Sequence, residues 1–445
     1  MNAPNRSFVL WWLAATIVAC LVAIYTPPFA MPDEGAHFLR ATEVSKLHLS
    51  NHKGDVGVEI PCADYLVAAK QYAPIAYFQP VDGRSDVNQP SCQVKTVNSA
   101  GMYSPLPYLA SAIGLSITNS AGWSVENRLK AARLLNALAT SVICLLVLLP
   151  LHRWRALLSL IALLPMTIWL RSSISADALT ITFCVAFLGY TIGLAEQQQA
   201  IGRRQILILC SLAMLLGSMK PAYGLLGFSA LVLYPGARTS SGKIKWVALL
   251  APGASALFVS IFWARIADPN LIYLGNGANP VEQLAFILRH PLRYVQIIGA
   301  TLWQELGNLT YNGIIPSLAA ARQFSVHFGV ANCTLLLLAG LALTASSENP
   351  LLPRQRQILV LTALFCLAAM VSPLYLTYTP VGHERILGLQ GRYFLPLALC
   401  VLFPLAFQRP RIFHLSAELR TFIGAGLPAI ISGAALVLFF IRPAG

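Results

Sequence analysis

Ser104-Pro105-Leu106-Pro107-Tyr108-Leu109-Ala110-Ser111-Ala112-Ile113-Gly114-Leu115-Ser116-Ile117-Thr118-Asn119 decides how the whole chain is read. If residues 105–119 cross a membrane, every later loop changes side; if they lie along its surface, none does. An α-helix needs about 20 mostly apolar residues to cross ~30 Å of hydrocarbon. This run has 15 and opens with Pro105 and Pro107, so it reads as a helix lying in the interface.

Composition makes the membrane the relevant solvent. The 445 residues are 56% hydrophobic and 11% charged, with a mean hydropathy of +0.64. A soluble chain carries about 25% charged residues, so a cytosolic enzyme with a solvated surface is excluded. Disorder is excluded too, because it needs low hydrophobicity and high net charge. The excess of 31 Lys and Arg over 17 Asp and Glu gives +14. In a soluble protein that would point to nucleic acid; here it is the expected mark of basic cytoplasmic loops and anionic headgroups. The reading is an all-α polytopic membrane protein with membrane lipid as a partner, and nucleic acid drops out.

Eleven segments read as spans: roughly 8–26, 133–151, 156–171, 178–195, 206–219, 222–235, 247–264, 328–344, 357–373, 394–407 and 420–441. The first is long for a cleaved signal peptide and lacks a clear A-x-A site, so it is taken as a span. The basic clusters His152-Arg153-Trp154-Arg155, Arg203-Arg204, Arg238 with Lys243 and Lys245, Arg354 with Arg356, and Arg409 with Arg411 separate successive pairs of spans. All five fall on one face if 105–119 does not cross, and the positive-inside rule assigns that face, with Arg6, to the cytoplasm.

The opposite face then carries loops 27–132, 171–177, 218–223, 265–327 and 374–393. Two of these are far longer than the ordinary connection of about 4–6 residues. Within the fourth, Glu282–Trp303 has apolar residues at near-helical spacing interrupted by Arg289, His290 and Arg293, which predicts one amphipathic surface helix. The chain divides into a transmembrane module, 1–264, that includes loop 27–132; a loop with the amphipathic helix, 265–327; and C-terminal spans, 328–445, that include loop 374–393. Seven of the nine cysteines fall in predicted spans. Cys62 and Cys92 share the first outer loop, where a disulfide is expected and would stabilise by roughly 3 kcal/mol on the chain-entropy model. No CxxC or Cys/His cluster points to structural zinc.

Ionisable groups near span ends are costly and are functional candidates by default. Asp33 and Glu34 follow the first span, with His37 and Arg40 one and two turns beyond. A helix beginning at Pro32-Asp33 would put Asp33, His37 and Arg40 on one face. Arg171 and Asp177 bracket the next turn on that side, either as functional groups or as a structural ion pair. Lys220 precedes Pro221, and His383, Glu384, Arg385, Gln390, Arg392 and Tyr393 crowd the last outer loop. Carboxylates beside several cations at a lipid surface suit group transfer from a lipid-phosphate donor. One carboxylate would act as general base, and fixed cations would stabilise the departing phosphate.

Pro32-Asp33-Glu34-Gly35-Ala36-His37-Phe38, the Tyr-x-Pro-Leu-x-Tyr run from Tyr103 to Tyr108, Asp177, Lys220-Pro221 and Gln390-Gly391-Arg392-Tyr393-Phe394-Leu395-Pro396 carry a resemblance. They resemble the GT-C superfamily of integral-membrane glycosyltransferases, and within it a bacterial family of uncharacterised polytopic proteins. The resemblance runs from residue 8 to about 410. It implies a GT-C-like fold in a bacterial inner membrane. It also implies inverting transfer of a sugar from a polyprenyl-phosphate-linked donor, on the periplasmic side, to a glycan or lipid acceptor of the cell envelope. Asp33 matches the position of the catalytic base, with Glu34 its neighbour. Arg392, Arg385 and Lys220 would hold the donor phosphate. His37, Arg40, Tyr108, Asp177, His383, Gln390 and Tyr393 would contact substrate. Asp177 matches an acidic position that helps bind a divalent metal in oligosaccharyltransferases, but the likeness to transferases without an appended soluble domain favours no metal and no other cofactor. A transporter or flippase of lipid-linked sugars is the alternative, but it would need ionisable residues deep in several spans on a path reaching both faces, and mid-span charge is nearly absent. A ligase using a diphosphate-linked polymer would use similar arginines with a His or Glu from another outer loop.

Overall fold

The computed structural model describes residues 3–29, 31, 33–50, 58–61, 78–80, 93–96, 99–197, 201–236, 245–267, 274–314, 339–340, 342–343, 351–406 and 415–441. The expected disulfide pair Cys62 and Cys92 and most of the expected span 328–344 lie outside the described residues. Among the described ones, Asn5–Tyr25, Val125–Leu148, Ala176–Gln197, Trp246–Ile266 and Pro353–Thr377 are helices long and apolar enough to cross a bilayer. They belong to α1 (Ala3–Tyr25), α4 (Val125–Leu148), α7 (Ala176–Gln197), α10 (Trp246–Ile266) and α13 (Pro353–Thr377).

The long first loop holds α2 (Glu34–Ser45) and α3 (Leu109–Ser120). The same loop also holds a small sheet. Strands β1 (Val58–Pro61), β2 (Phe78–Pro80) and β3 (Gln93–Thr96) form a small antiparallel sheet in the order β1-β3-β2, with Val58 and Phe78 both opposite Thr96. Helix α3, with 12 residues, is about 18 Å long and too short to cross. Its Leu109, Ile113 and Ile117 are exposed at helical spacing, while Ser111, Ala112, Leu115 and Thr118 are buried. That is the two-sided pattern of an interfacial helix.

Among the described residues, not every expected span is one uninterrupted helix. The segment expected at 156–171 breaks into α5 (Arg155–Ala162) and α6 (Pro165–Arg171), because Pro165 forces Leu164 out of the helical region, to ψ 146°. Helix α8 (Arg203–Met219) has 17 residues. It is followed by the single turn α9 (Pro221–Gly224) and a 3-10 stretch, Leu225–Leu233. A 3-10 helix rises about 2.0 Å per residue, so this short apolar segment reaches further than an α-helix of its length. It is held by close backbone contact with α10, since a Cβ added at Gly227 would lie 2.8 Å from Gly253 Cα; α8 approaches α10 as closely, and a Cβ at its Gly217 would lie 2.3 Å from the Ala256 carbonyl oxygen. Small residues at membrane helix contacts allow this approach.

The surface helix expected over Glu282–Trp303 is two helices, α11 (Pro280–Arg289) and α12 (Pro291–Ile314). The break falls at His290, the residue before Pro291, which proline sterics push out of the α region. The C-terminal part adds a 3-10 turn Gly391–Phe394 leading into α14 (Leu395–Leu402), then α15 (Ala417–Thr421), a π-helical turn Phe422–Gly426 and α16 (Leu427–Ile441).

The main apolar core joins α1, α4, α5, α7 and α8 to the segment after Lys220, α13 and α14. Helix α7 runs through it, with Cys184, Val185, Phe187, Leu188 and Ile192 buried. A second, smaller core packs Phe29, Phe38, Leu39, Tyr108, Leu115, Leu129 and Ile174, and so fastens α2 and α3 onto the start of α4. Helix polarity sorts the charges. Arg153 pairs with Glu196 at the far end of α7 at 3.5 Å, whereas Asp177 sits in the first turn of α7 and Lys220 just past the last turn of α8.

Candidate active site

The geometry of the site begins with an arginine that the sequence reading passed over. Arg133 of α4 is fully buried. Its Nε donates to Glu34 Oε1 at 2.8 Å, and Nη2 donates to Glu34 Oε2. Nη1 donates to the Thr26 carbonyl at 2.7 Å and Nη2 to the Pro27 carbonyl at 3.0 Å. One guanidinium thus binds the exposed carbonyls where α1 ends and the carboxylate where α2 begins. Glu34 Oε1 also accepts from the Ile174 backbone N–H at 3.2 Å. Both oxygens of Glu34 are engaged and its side chain is 0% exposed, so the expected catalytic role for Glu34 is corrected to an anchoring one. Signals for Arg133 were available: it is a cation at the edge of an apolar run, where charge is expensive unless paired.

Fixing Glu34 aims Asp33. The helix begins at Glu34, and Asp33 stands before it in the left-handed region, φ 56° and ψ 13°, without a side-chain bond to the helix end. Aspartate tolerates this conformation better than most residues. By forgoing the N-cap bond, worth about 1 kcal/mol, Asp33 frees its carboxylate to pair with Arg392 Nη2. The expectation that Asp33, His37 and Arg40 share a helix face fails for this reason.

Arg392 is the hub. Its side chain is 4% exposed and its Nε lies 3.3 Å from Asp177 Oδ2. The other oxygen of Asp177 pairs with Lys220. The Asp177 carboxylate at a helix N-terminus and the Lys220 ammonium past a C-terminus each lie where the helix dipole favours that charge. Lys220 Nζ stands 5.6 Å from the Tyr103 ring and 5.3 Å from the Tyr393 ring, and Arg392 Cζ is 5.6 Å from Tyr393. Tyr223 Oη donates to the Tyr393 carbonyl at 2.9 Å and steadies the turn that carries Arg392. The four charges cancel in sign. They differ in access: Asp177 is 8% exposed, while Asp33 keeps 52% of its side chain open.

His37 and Tyr108 form the floor beside this cluster. His37 Nδ1 and Tyr108 Oη are 2.7 Å apart, and both side chains are buried. Burial, partly opposed by Asp33 and Asp177, brings the His37 imidazole down to about 4. Burial also pushes the Tyr108 hydroxyl well above its usual value, so both are neutral near pH 7. For Asp33, burial acts upward but is outweighed by the Arg392 guanidinium, which holds the carboxyl below the usual carboxylate range. Near pH 7 the Asp33 carboxylate is ionised and the His37 imidazole is not.

That imidazole has a measurable consequence. An unfolded histidine takes up its proton near pH 6.5, the folded one only near pH 4. Between those values the unfolded chain binds more protons, so stability falls as pH falls through the window. Thermal denaturation of the purified chain should show this loss between about pH 6.5 and 4, and His37→Gln should flatten the slope. An unchanged slope in that variant would assign the effect to another group.

Four expected contacts do not join the cluster. Arg40 is 0% exposed and spends its guanidinium on Glu43 at 3.0 Å and on the carbonyls of His48, Leu49 and Tyr103. It ties α2 to the motif carrying Tyr103 and is structural. His383 and Arg385 are exposed on the loop after α13, where the Arg385 backbone N–H donates to His383 Nδ1 at 3.1 Å. Their neighbour Glu384 pairs with Arg293 of α12 at 3.2 Å. Gln390, half-buried, precedes the Arg392 turn and makes no side-chain cap bond to it. Arg171 does not pair with Asp177; its guanidinium lies over the Trp12 ring, 5.1 Å away. Among the described residues no group of three or more His, Cys, Asp or Glu could hold a metal ion.

Comparison with known proteins adds one finding. A family model described as a predicted membrane protein (DUF2142) matches residues 13–401, which take in every member of the charged cluster. No curated protein and no solved structure matches the chain.

Proposed function

The chain belongs to the DUF2142 family of predicted membrane proteins, and on that premise we propose that it is an inverting glycosyltransferase that uses a lipid-phosphate sugar donor. The observation that carries the reading is the pairing of Asp33, an open and ionised carboxylate, with the buried cation Arg392, itself shared with Asp177 and Lys220. Asp33 takes the proton of an acceptor hydroxyl as that oxygen bonds to the anomeric carbon. The bond from that carbon to the phosphate oxygen breaks, and its electron pair leaves with the polyprenyl phosphate. Arg392 and Lys220 stabilise the charge that develops on that oxygen, which is where fixed cations contribute most. Attack from the side opposite the phosphate inverts the anomeric centre. Tyr103 and Tyr393, whose rings flank Lys220, offer flat apolar faces to the sugar.

We place this site on the periplasmic face of a bacterial inner membrane, with a cell-envelope glycan or lipid as acceptor. Support comes from the basic clusters at the opposite helix ends, by the positive-inside rule. The chemistry needs no metal in this scheme, since Lys220 and Arg392 occupy the role of the electrophile.

The test is transfer of radiolabelled sugar from a panel of polyprenyl-phosphate donors by the full chain in liposomes. Arg392→Ala should lower kcat/KM for the donor by about 10²–10³-fold, the scale seen when one transition-state donor is removed. A wild-type rate in that variant would move the phosphate site elsewhere, and ATP-independent lipid translocation without transfer would replace the enzyme with a flippase.

A further inference from the structure

The resting cluster contains an occupant for its own phosphate position. Arg392 is nearly sealed from solvent, and two carboxylates share it. These partners are not equivalent. Asp177 is buried, is held by Lys220 as well, and sits in the first turn of a core helix with its backbone N–H donating to Ser175 Oγ at 3.0 Å. Asp33 is half open, belongs to no helix, and is bound to the cluster through Arg392. An arriving anion can therefore displace Asp33 and cannot readily displace Asp177.

We infer that the Asp33 carboxylate stands in for a phosphate on Arg392, so that docking of a lipid phosphate and release of Asp33 are one exchange. This deepens the proposed function and rests on it: the exchange sets the order of events at the same site. Without donor, Asp33 is tied to a cation and is a poor proton acceptor. With donor bound, Arg392 is neutralised by phosphate, and the freed carboxylate faces the acceptor. The charge count agrees. The four-group cluster is neutral at rest and remains matched when one anion replaces another on Arg392, whereas adding a phosphate without release leaves a buried excess of negative charge. Acceptor activation thus waits for donor.

The exchange makes an unusual prediction: removing the base strengthens phosphate binding. Farnesyl phosphate binding to the full-length chain in detergent, read by calorimetry, is the test. Asp33→Asn should tighten binding by at least about tenfold, the scale of one charge-assisted contact no longer to be broken. Asp33→Glu, which keeps the competing charge, should not. The gain should persist at 0.5 M salt, since a contact pair is far less screened than a distant field. Equal affinity in wild type and Asp33→Asn, weaker binding in Asp33→Asn, or a gain that vanishes with salt would each overturn the exchange while leaving the phosphate site in place. Absence of farnesyl phosphate binding in all three proteins would instead remove the phosphate site, and with it the proposed function.

Discussion

Asp33→Asn should lower sugar transfer by about 10²–10⁴-fold, the range that a positioned general base contributes, with no loss of folding or of donor affinity. The expectation follows from the division of labour between adjacent acids. Asparagine keeps the size of the side chain and tolerates the left-handed backbone at this position, φ 56°. The anchor, Glu34 with Arg133, is untouched. What disappears is the one half-open carboxylate of the cluster. Because Asp33 is held below the usual carboxylate range, the wild-type kcat/KM should stay flat from pH 8 down to about pH 5 and fall only in more acid solution, as the free enzyme's base is protonated. Single-turnover measurements with bound donor would separate the chemical step from binding. Turnover within tenfold of wild type would show that Asp33 is not the base.

Arg133→Met should have the largest effect on stability, about 3–5 kcal/mol, the cost of leaving a buried charge without its partner. Glu34 is fully enclosed, and its remaining contact would be the Ile174 N–H. The carbonyls of Thr26 and Pro27 would lose their donor as well. Adding Glu34→Leu to Arg133→Met should recover part of the loss, since a buried pair replaced by apolar residues is often close to neutral. Recovery should be incomplete because those carbonyls stay unsatisfied. Thermal denaturation of the two single variants and the double variant in detergent forms the cycle that measures the coupling. Losses that simply add would mean that Glu34 and Arg133 do not depend on each other.

Much of the site was legible because membrane physics sorts charge by face. Basic loops fix one face, and Asp33, Asp177, Lys220 and Arg392 fall to the other without reference to their chemistry. The four meet in the structure although Asp33 and Arg392 are 359 residues apart. The segment 105–119 was legible as an interfacial element because a 15-residue apolar stretch opening with two prolines is too short to cross. What could not be read was the difference between Asp33 and Glu34. Side by side they look like a dyad, and their separation rests on Arg133, nearly a hundred residues later, and on a backbone twist that no periodicity reports. Arg40 misled for a similar reason: its acceptors are the carbonyls of His48, Leu49 and Tyr103, and every residue type has a carbonyl. Hydropathy does not distinguish a continuous helix from one broken before Pro165 or wound as 3-10 after Gly224, so the irregular form of those two segments was not legible.

Cross-linking of positions 33 and 392 in native membranes tests the central claim most directly. With the native cysteines replaced, Asp33→Cys and Arg392→Cys combined should be joined by a short bifunctional thiosulfonate, giving one linked peptide pair by mass spectrometry. No linked pair, with both cysteines labelled from opposite sides of the membrane by an impermeant reagent, would contradict it.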